Sequence, residues 1–143
     1  MAILKSRVYL FVHIIWAVKS QEATLSKPIR TVLFPYMQKQ ATERGISLIT
    51  MNGVEDHVHC LLQLHATQNL SQVVRLLQQD ALTWVNESNF QKQQVEWSDE
   101  WLAYSVSPSA YQSTVDYIQK QEEYHKTRSL GQELAVFEKM PVP

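Results

Sequence analysis

Two short stretches hold the residues whose types and spacing could do chemistry. The first opens with His57 and His59, separated only by Val58, at the head of the run His57-Val58-His59-Cys60-Leu61-Leu62-Gln63-Leu64. Side chains alternate faces along a β-strand, so both imidazoles would leave one face while Val58 and Cys60 enter the opposite layer. Neutral imidazole is a common metal ligand at cellular pH. Two histidines are not a site by themselves: they equally satisfy hydrogen bonds in a partly buried strand, and the zinc patterns call for further ligands. The second stretch, Tyr111 to Lys126, reads as a helix. Residues four apart share a helix face, which aligns Tyr117, Gln121 and His125. That stripe is either a solvated surface or a nucleophile, a third metal ligand and a basic helper.

The elements that must position these groups can be read in order. Arg7 to Val18 is rich in β-branched and aromatic residues and reads as a strand, with His13 inside it as a structural histidine. Ser26-Lys27-Pro28 starts a helix by a capping serine and an early proline, Pro35 should bend it, and Gly45 stops it. Ile46 to Met51 is a second strand, Asn52-Gly53 a turn signal, and the histidine strand follows. Asn69 or Ser71 caps a second helix. A polar connection from Asn86 to Trp97 precedes a short fourth strand, Trp101 to Val106. Ser107-Pro108-Ser109 then starts the tyrosine helix, expected from about Ala110 to Lys126, and a last amphipathic piece covers Gln132 to Lys139. Strand, helix, strand, strand, helix, strand is the βαββαβ order of an α+β, ferredoxin-like antiparallel sheet, here with an added C-terminal helix carrying the tyrosine. First and third strands are central in that topology, so the histidines lie mid-sheet and the third helix is the candidate to cover them.

Composition bounds the classes. A length of 143 residues fits one domain, residues 1–143, and an apolar fraction of 45% is that of an ordinary soluble protein. No apolar run nears the ~20 residues of a membrane span, and no secretory leader is evident. The single cysteine, Cys60, cannot form an internal disulfide, in keeping with a cytoplasmic location. The net charge is −1, but residues 1–50 carry seven cations against two acids, and residues 51–100 two cations against seven acids. A basic first third suits phosphate contacts, and equally the solvated faces of a strand and a helix.

The combination of motifs resembles the HUH endonuclease superfamily, in which U is a bulky apolar residue. It is most similar to the single-tyrosine transposases of insertion sequences that move as single-stranded DNA, and to the REP-associated tyrosine transposases. Asp56-His57-Val58-His59-Cys60-Leu61-Leu62 resembles that family's D-H-V-H-L-L segment, Trp97 to Ser107 its W-x-x-G-Y-x-x-x-S-V segment, and Tyr117-Ile118-x-x-Gln121 its Y-I-x-x-Q. His13 to Lys19 looks like its opening strand, and the likeness covers about residues 7 to 128. Departures fall where DNA contacts are expected: Gln78-Gln79-Asp80-Ala81 replaces a Lys-Gly-x-Ser stretch, Lys19-Ser20-Gln21 lacks an arginine, and Trp101-Leu102 stands for a glycine-tyrosine pair.

The resemblance implies a fold, a chemistry and partners. Tyr117 would be the nucleophile, and His57, His59 and the amide oxygen of Gln121 would hold Mg²⁺ or Mn²⁺. The product would be a 5′-phosphotyrosine on single-stranded DNA cut at hairpin ends, resealed by a 3′-hydroxyl without ATP. DNA contacts would fall to Arg7, Lys19, Arg75, Lys120, His125 and Lys126, and the assembly would be a homodimer with merged sheets. Tyr124 is the one rival nucleophile. Two alternatives from other classes remain at this point: a domesticated, catalytically weak DNA-binding relative, and an unrelated ferredoxin-like metal-binding module in which the histidines and tyrosine never meet.

Overall fold

The computed structural model describes residues 6–88 and 94–137. Four strands, β1 (Leu10–Val18), β2 (Ser47–Gly53), β3 (His57–Leu64) and β4 (Trp97–Val106), form one antiparallel sheet in the order β2-β3-β1-β4. Helices α1 (Lys27–Glu43) and α2 (Leu70–Glu87) are followed, beyond β4, by α3 (Tyr111–Gln119), the four-residue α4 (Gln121–Tyr124) and α5 (Leu130–Phe137). The ferredoxin-like βαββαβ order is therefore present, with β1 and β3 central and β4 at an edge.

Alternation along the central strands builds two layers. Ile14, Trp16 and Val18 of β1 and Val58, Cys60 and Leu62 of β3 join Leu33, Met37, Val74 and Leu77 of α1 and α2 in the main core. The other face carries His13, Ile15, His57, His59 and Leu61, all buried, beneath the C-terminal helices that bring Ile118 and Leu130. This second layer is the polar one. Burial of the histidines on a strand follows from its being central: no edge leaves them open to water.

Several boundaries differ from the sequence reading for identifiable reasons. Asn52-Gly53 is not the turn but the end of β2: Gly53 pairs with Val58, and the chain reverses over Val54, Glu55 and Asp56. Gly53 is required by close approach, since a Cβ there would lie 2.3 Å from the His57 carbonyl oxygen. The fourth strand starts at Trp97, four residues early, because a bulge between Trp16 and Val18 lets Trp97 pair with Val18 while its indole donates to the Gln78 carbonyl. Asn69 is the residue that caps α2, accepting from the Gln72 amide at 3.1 Å. Pro35 lies inside α1, which runs on to Glu43, and Gly45 ends it at φ +72°. The C-terminal helix begins at Leu130; the expected extension to Lys139 lies outside the described residues.

The tyrosine helix is not continuous. It breaks at Lys120, whose backbone (φ −98°, ψ 21°) leaves the helical region between α3 and α4. Asn52, opposite His59 in the β2–β3 register, donates its amide to the Gln119 carbonyl at 3.0 Å and so ties the end of α3 to the sheet. On the far side of the break, the buried Arg30 guanidinium donates to Glu122 at 3.2 Å and to the Leu25 carbonyl at 2.6 Å. Two anchors from opposite directions thus fix Gln121, which is fully buried.

Candidate metal and tyrosine site

Four donor groups meet under α5. The ring nitrogens of His57, His59 and His125 and a carboxylate oxygen of Glu133 lie within 4.8 Å of one another. Glu133 Oε1 is at the centre: His57 Nε2 is 3.2 Å away, His59 Nε2 3.0 Å and His125 Nε2 3.1 Å. Gln121 Oε1 joins them, 3.3 Å from His57 Nε2 and 3.0 Å from His125 Nε2. The second carboxylate oxygen, Glu133 Oε2, accepts from the Gln121 amide at 3.0 Å and from the Tyr117 hydroxyl. The histidines and Tyr117, expected to meet only in the transposase-like reading, do meet, and Gln121 is not remote from them.

Each histidine is held from behind. His57 Nδ1 donates to Asp56 Oδ1 at 2.7 Å, His125 Nδ1 donates to the Arg128 carbonyl at 2.7 Å, and His59 Nδ1 faces His13 Nε2 at 2.8 Å. Outer partners of this kind orient an imidazole and fix which nitrogen is bare. His13 is consequently more than the structural strand histidine that its sequence setting suggests.

Burial and mutual charge set the titration of the cluster. Burial pushes the His57 imidazole down, but hydrogen bonds to the Asp56 and Glu133 carboxylates outweigh it and raise the group to about 9. His59 is lowered by burial against the opposing pull of Glu133, and His13 falls to about 3 through burial and the neighbouring His59. Burial would raise Glu133, yet the hydrogen bonds from His57 and His59 hold it well below the usual carboxylate range. Tyr117 is pushed well above the ordinary phenol range by burial and by the Glu133 carboxylate.

The donor set fits a divalent cation. Adjacent donors are 3.0–3.3 Å apart, and metal–ligand bonds of about 2.1 Å set neighbouring ligands roughly 3.0–3.4 Å apart. Imidazole nitrogens with amide and carboxylate oxygens suit Mn²⁺ and its neighbours in the first row, and the oxygens suit Mg²⁺.

Glu133 was missed by sequence reasoning. The signal available was a carboxylate on the otherwise apolar stripe Leu130, Glu133, Leu134 and Phe137 of a short helix, a position that ordinarily holds an apolar side chain. Tyr124 lies beside the site, its ring 5.6 Å from that of Tyr117 and under the Arg128 guanidinium at 5.4 Å. Tyr111 packs edge-on against Phe11, and Tyr104 stacks on Phe137. Of the residues expected to touch DNA, His125 is part of the cluster, and Lys120 and Lys126 are exposed beside it. Lys19 is exposed near the His57 end of β1, paired with Glu96 at 3.3 Å. Arg7 is exposed before the opposite end of β1, and Arg75 is exposed on α2, across the sheet. These last two are not brought to the site. An open cleft of about 410 Å³, lined among others by Ser113, Thr114, Tyr117, Tyr124, Arg128 and Glu133, leads to the tyrosine.

Known proteins resemble this chain in sequence and in fold. The chain is 32% identical over 76 residues to the ISDra2 transposase TnpA of Deinococcus radiodurans, a match spanning 51% of this chain and 54% of that protein. A crystal structure at 1.90 Å described as a transposase from Deinococcus radiodurans R1 superposes with a TM-score of 0.64 at 22% identity, covering 85% of this chain and 98% of that one. A REP-associated tyrosine transposase solved bound to a REP hairpin superposes with a TM-score of 0.62 at 16% identity, covering 87% and 74%. The model of the Y1_Tnp family, described as "Transposase IS200 like", matches residues 6–121, and the chain belongs to that family.

Proposed function

We propose that this chain cleaves and rejoins single-stranded DNA at hairpin ends, with Tyr117 as nucleophile and Mg²⁺ or Mn²⁺ as cofactor. His57, His59 and Gln121 would hold the cation, with His125 and Glu133 as further donors beside them. The observation that carries this reading is the convergence of the paired strand histidines, the Gln121 amide N–H and the Tyr117 hydroxyl on one buried carboxylate. Membership of a transposase family and a structural neighbour solved with hairpin DNA support the substrate class.

A bound divalent ion would neutralise charge on the non-bridging oxygens of the scissile phosphodiester. DNA enters through the open cleft, and Tyr117 forms a bond from its phenolic oxygen to phosphorus as the bond to the 3′ oxygen breaks. Glu133 Oε2 accepts a hydrogen bond from that hydroxyl and orients it, and the phenolic proton leaves to water as the bond forms. The leaving 3′ oxygen takes up a proton, and the 5′ end stays on the enzyme as a phosphotyrosine. The 3′-hydroxyl of a second end reverses the step and joins strands without ATP, since the phosphotyrosine ester conserves the energy of the broken bond. Arg128 lines the cleft and, with the exposed Lys120 and Lys126, meets the strand's phosphates. A DNA substrate is in keeping with the cytoplasmic location we propose. Among the described residues no helix is long and apolar enough to cross a membrane. Tyr117 reaches the site of its own chain, so the homodimer we propose needs no exchange of tyrosine helices.

Incubation with labelled hairpin oligonucleotides carrying random single-stranded flanks, plus Mn²⁺, should give a denaturant-resistant protein–DNA adduct that chelator abolishes. Hairpins bound tightly but left uncut with every divalent ion would instead identify a catalytically quiet DNA-binding protein.

A further inference from the structure

Aromatic side chains gather a second time on the site face of the sheet, at the end away from His57. Phe11 of β1 stands opposite Gln63 of β3 there, one step beyond the pair His13 and Leu61 on the same face. Tyr9, Phe11, Ile49, Gln63, Pro108 and Tyr111 line a separate cavity of about 460 Å³. Three aromatic rings make up much of its wall, and no carboxylate belongs to it.

The wall is built firmly and left open. Tyr111 meets Phe11 edge to face, with ring centres 5.1 Å apart at 67°, which seats the first turn of α3 on the sheet. The Gln63 amide donates to the Val8 carbonyl at 2.8 Å and so fixes the segment that leads into β1. Tyr9, next in that segment, is nevertheless 59% exposed. Arg7, two residues earlier, is exposed at the same end of the strand.

Exposed aromatic rings beside a cation, with no acid among them, suit a flat ligand that carries negative charge. A nucleotide of a single strand is such a ligand: its base stacks on any aromatic face, and its phosphate meets the cation. The position is also within reach of the reaction. Tyr111 lies six residues before Tyr117 on α3, about 9 Å along the helix axis. A strand that presents a phosphate to Tyr117 therefore reaches the cavity within a few nucleotides. We propose that the cavity is a base-stacking subsite, in which Tyr9 takes up an unpaired base of single-stranded DNA and Arg7 the adjoining phosphate. The subsite rests on the DNA reading given above, and it gives Arg7, remote from the cation centre, a part in binding.

The test measures binding of the full chain, without divalent ion, to a fluorescent DNA hairpin carrying dT flanks of about 12 nucleotides on both sides. Tyr9→Ala should weaken binding about 5- to 150-fold, the loss expected for one stacked base, and Tyr9→Trp should restore it. An abasic nucleotide moved along the flanks should weaken the unaltered protein at one place, and have no further effect at that place in Tyr9→Ala. Arg7→Ala should flatten the plot of log affinity against log salt by about 0.7, as for one phosphate of a single strand, while Tyr9→Ala leaves that slope unchanged. Undiminished affinity in Tyr9→Ala, no recovery in Tyr9→Trp, an abasic effect that persists in Tyr9→Ala, or an unchanged slope in Arg7→Ala overturns the subsite and leaves the tyrosine centre untouched. A smaller mass for Tyr9→Ala than for the unaltered protein in light scattering would make the cavity an interface between copies, and overturns the subsite as well. If the unaltered protein binds no single strand, the DNA reading falls and the subsite with it.

Discussion

Glu133 sets one carboxylate oxygen among three imidazoles and the other against the Tyr117 hydroxyl, so the residues of the site are coupled through a single group. His57→Ala with His59→Ala should therefore abolish Mn²⁺ binding in calorimetry while circular dichroism shows the sheet retained, because both rings sit outside the main core. Unchanged Mn²⁺ affinity would place the site elsewhere. The coupling also predicts a pH dependence. His57 in the metal-free protein keeps its second proton up to about 9, against an ordinary value of 6.5. A cation must displace that proton, so apparent affinity should rise roughly tenfold per pH unit between about 7 and 8.5, with close to one proton released from His57. The same raised group stabilises the metal-free fold fully below 6.5, and that contribution is lost as pH rises through about 9. A thermal midpoint that climbs across this window would contradict the assignment. Residue type and spacing made His57, His59, Tyr117 and Gln121 legible as candidates, with roles that came from the family resemblance. Glu133 and His13 were not, because their partners lie 74 and 46 residues away in the chain and only tertiary packing brings them together.

At the scale of elements, the periodicities of β1, β3 and α2 announced both faces of the sheet, while the ends of the elements depended on pairing partners. Asn52-Gly53 illustrates the difference. Read locally it is a turn signal, but β3 takes both residues into the sheet, and the glycine serves a backbone contact instead of a left-handed turn. Gly53→Ala should consequently open the hairpin that carries Asp56 and His57, at a cost of about 1–3 kcal/mol for the overpacked contact. Urea denaturation would measure it, and a loss below a few tenths of a kcal/mol would show that the hairpin yields freely. The broken tyrosine helix has the same origin. An i to i+4 stripe correctly aligned Tyr117, Gln121 and His125, but the break at Lys120 arises from Asn52 and Arg30 gripping its two sides, contacts that no local pattern contains.

For the whole molecule, the charge asymmetry between the first and second thirds resolves partly into internal pairing. Lys19 meets Glu96, Arg30 meets Glu55 and Arg44 meets Asp80, while Lys27 and Arg30 also reach Glu122 in the last third. Arg128, which lines the cleft with Tyr117, and the exposed Lys120 and Lys126 come from the last quarter of the chain instead. Strand β4 is a sheet edge with Leu102 36% exposed, and an open apolar edge invites a second sheet. Light scattering at micromolar concentration should give the mass of a dimer, and a monomeric mass would remove the proposed β4 interface. The central claim is that Tyr117 is the residue joined to DNA. Peptide mapping of the adduct formed with hairpin single strands and Mn²⁺ tests it most directly. The DNA should be attached to Tyr117 and absent in Tyr117→Phe, with Tyr124→Phe reducing the adduct modestly at most. Attachment at Tyr124, or an adduct that survives in Tyr117→Phe, would contradict the account.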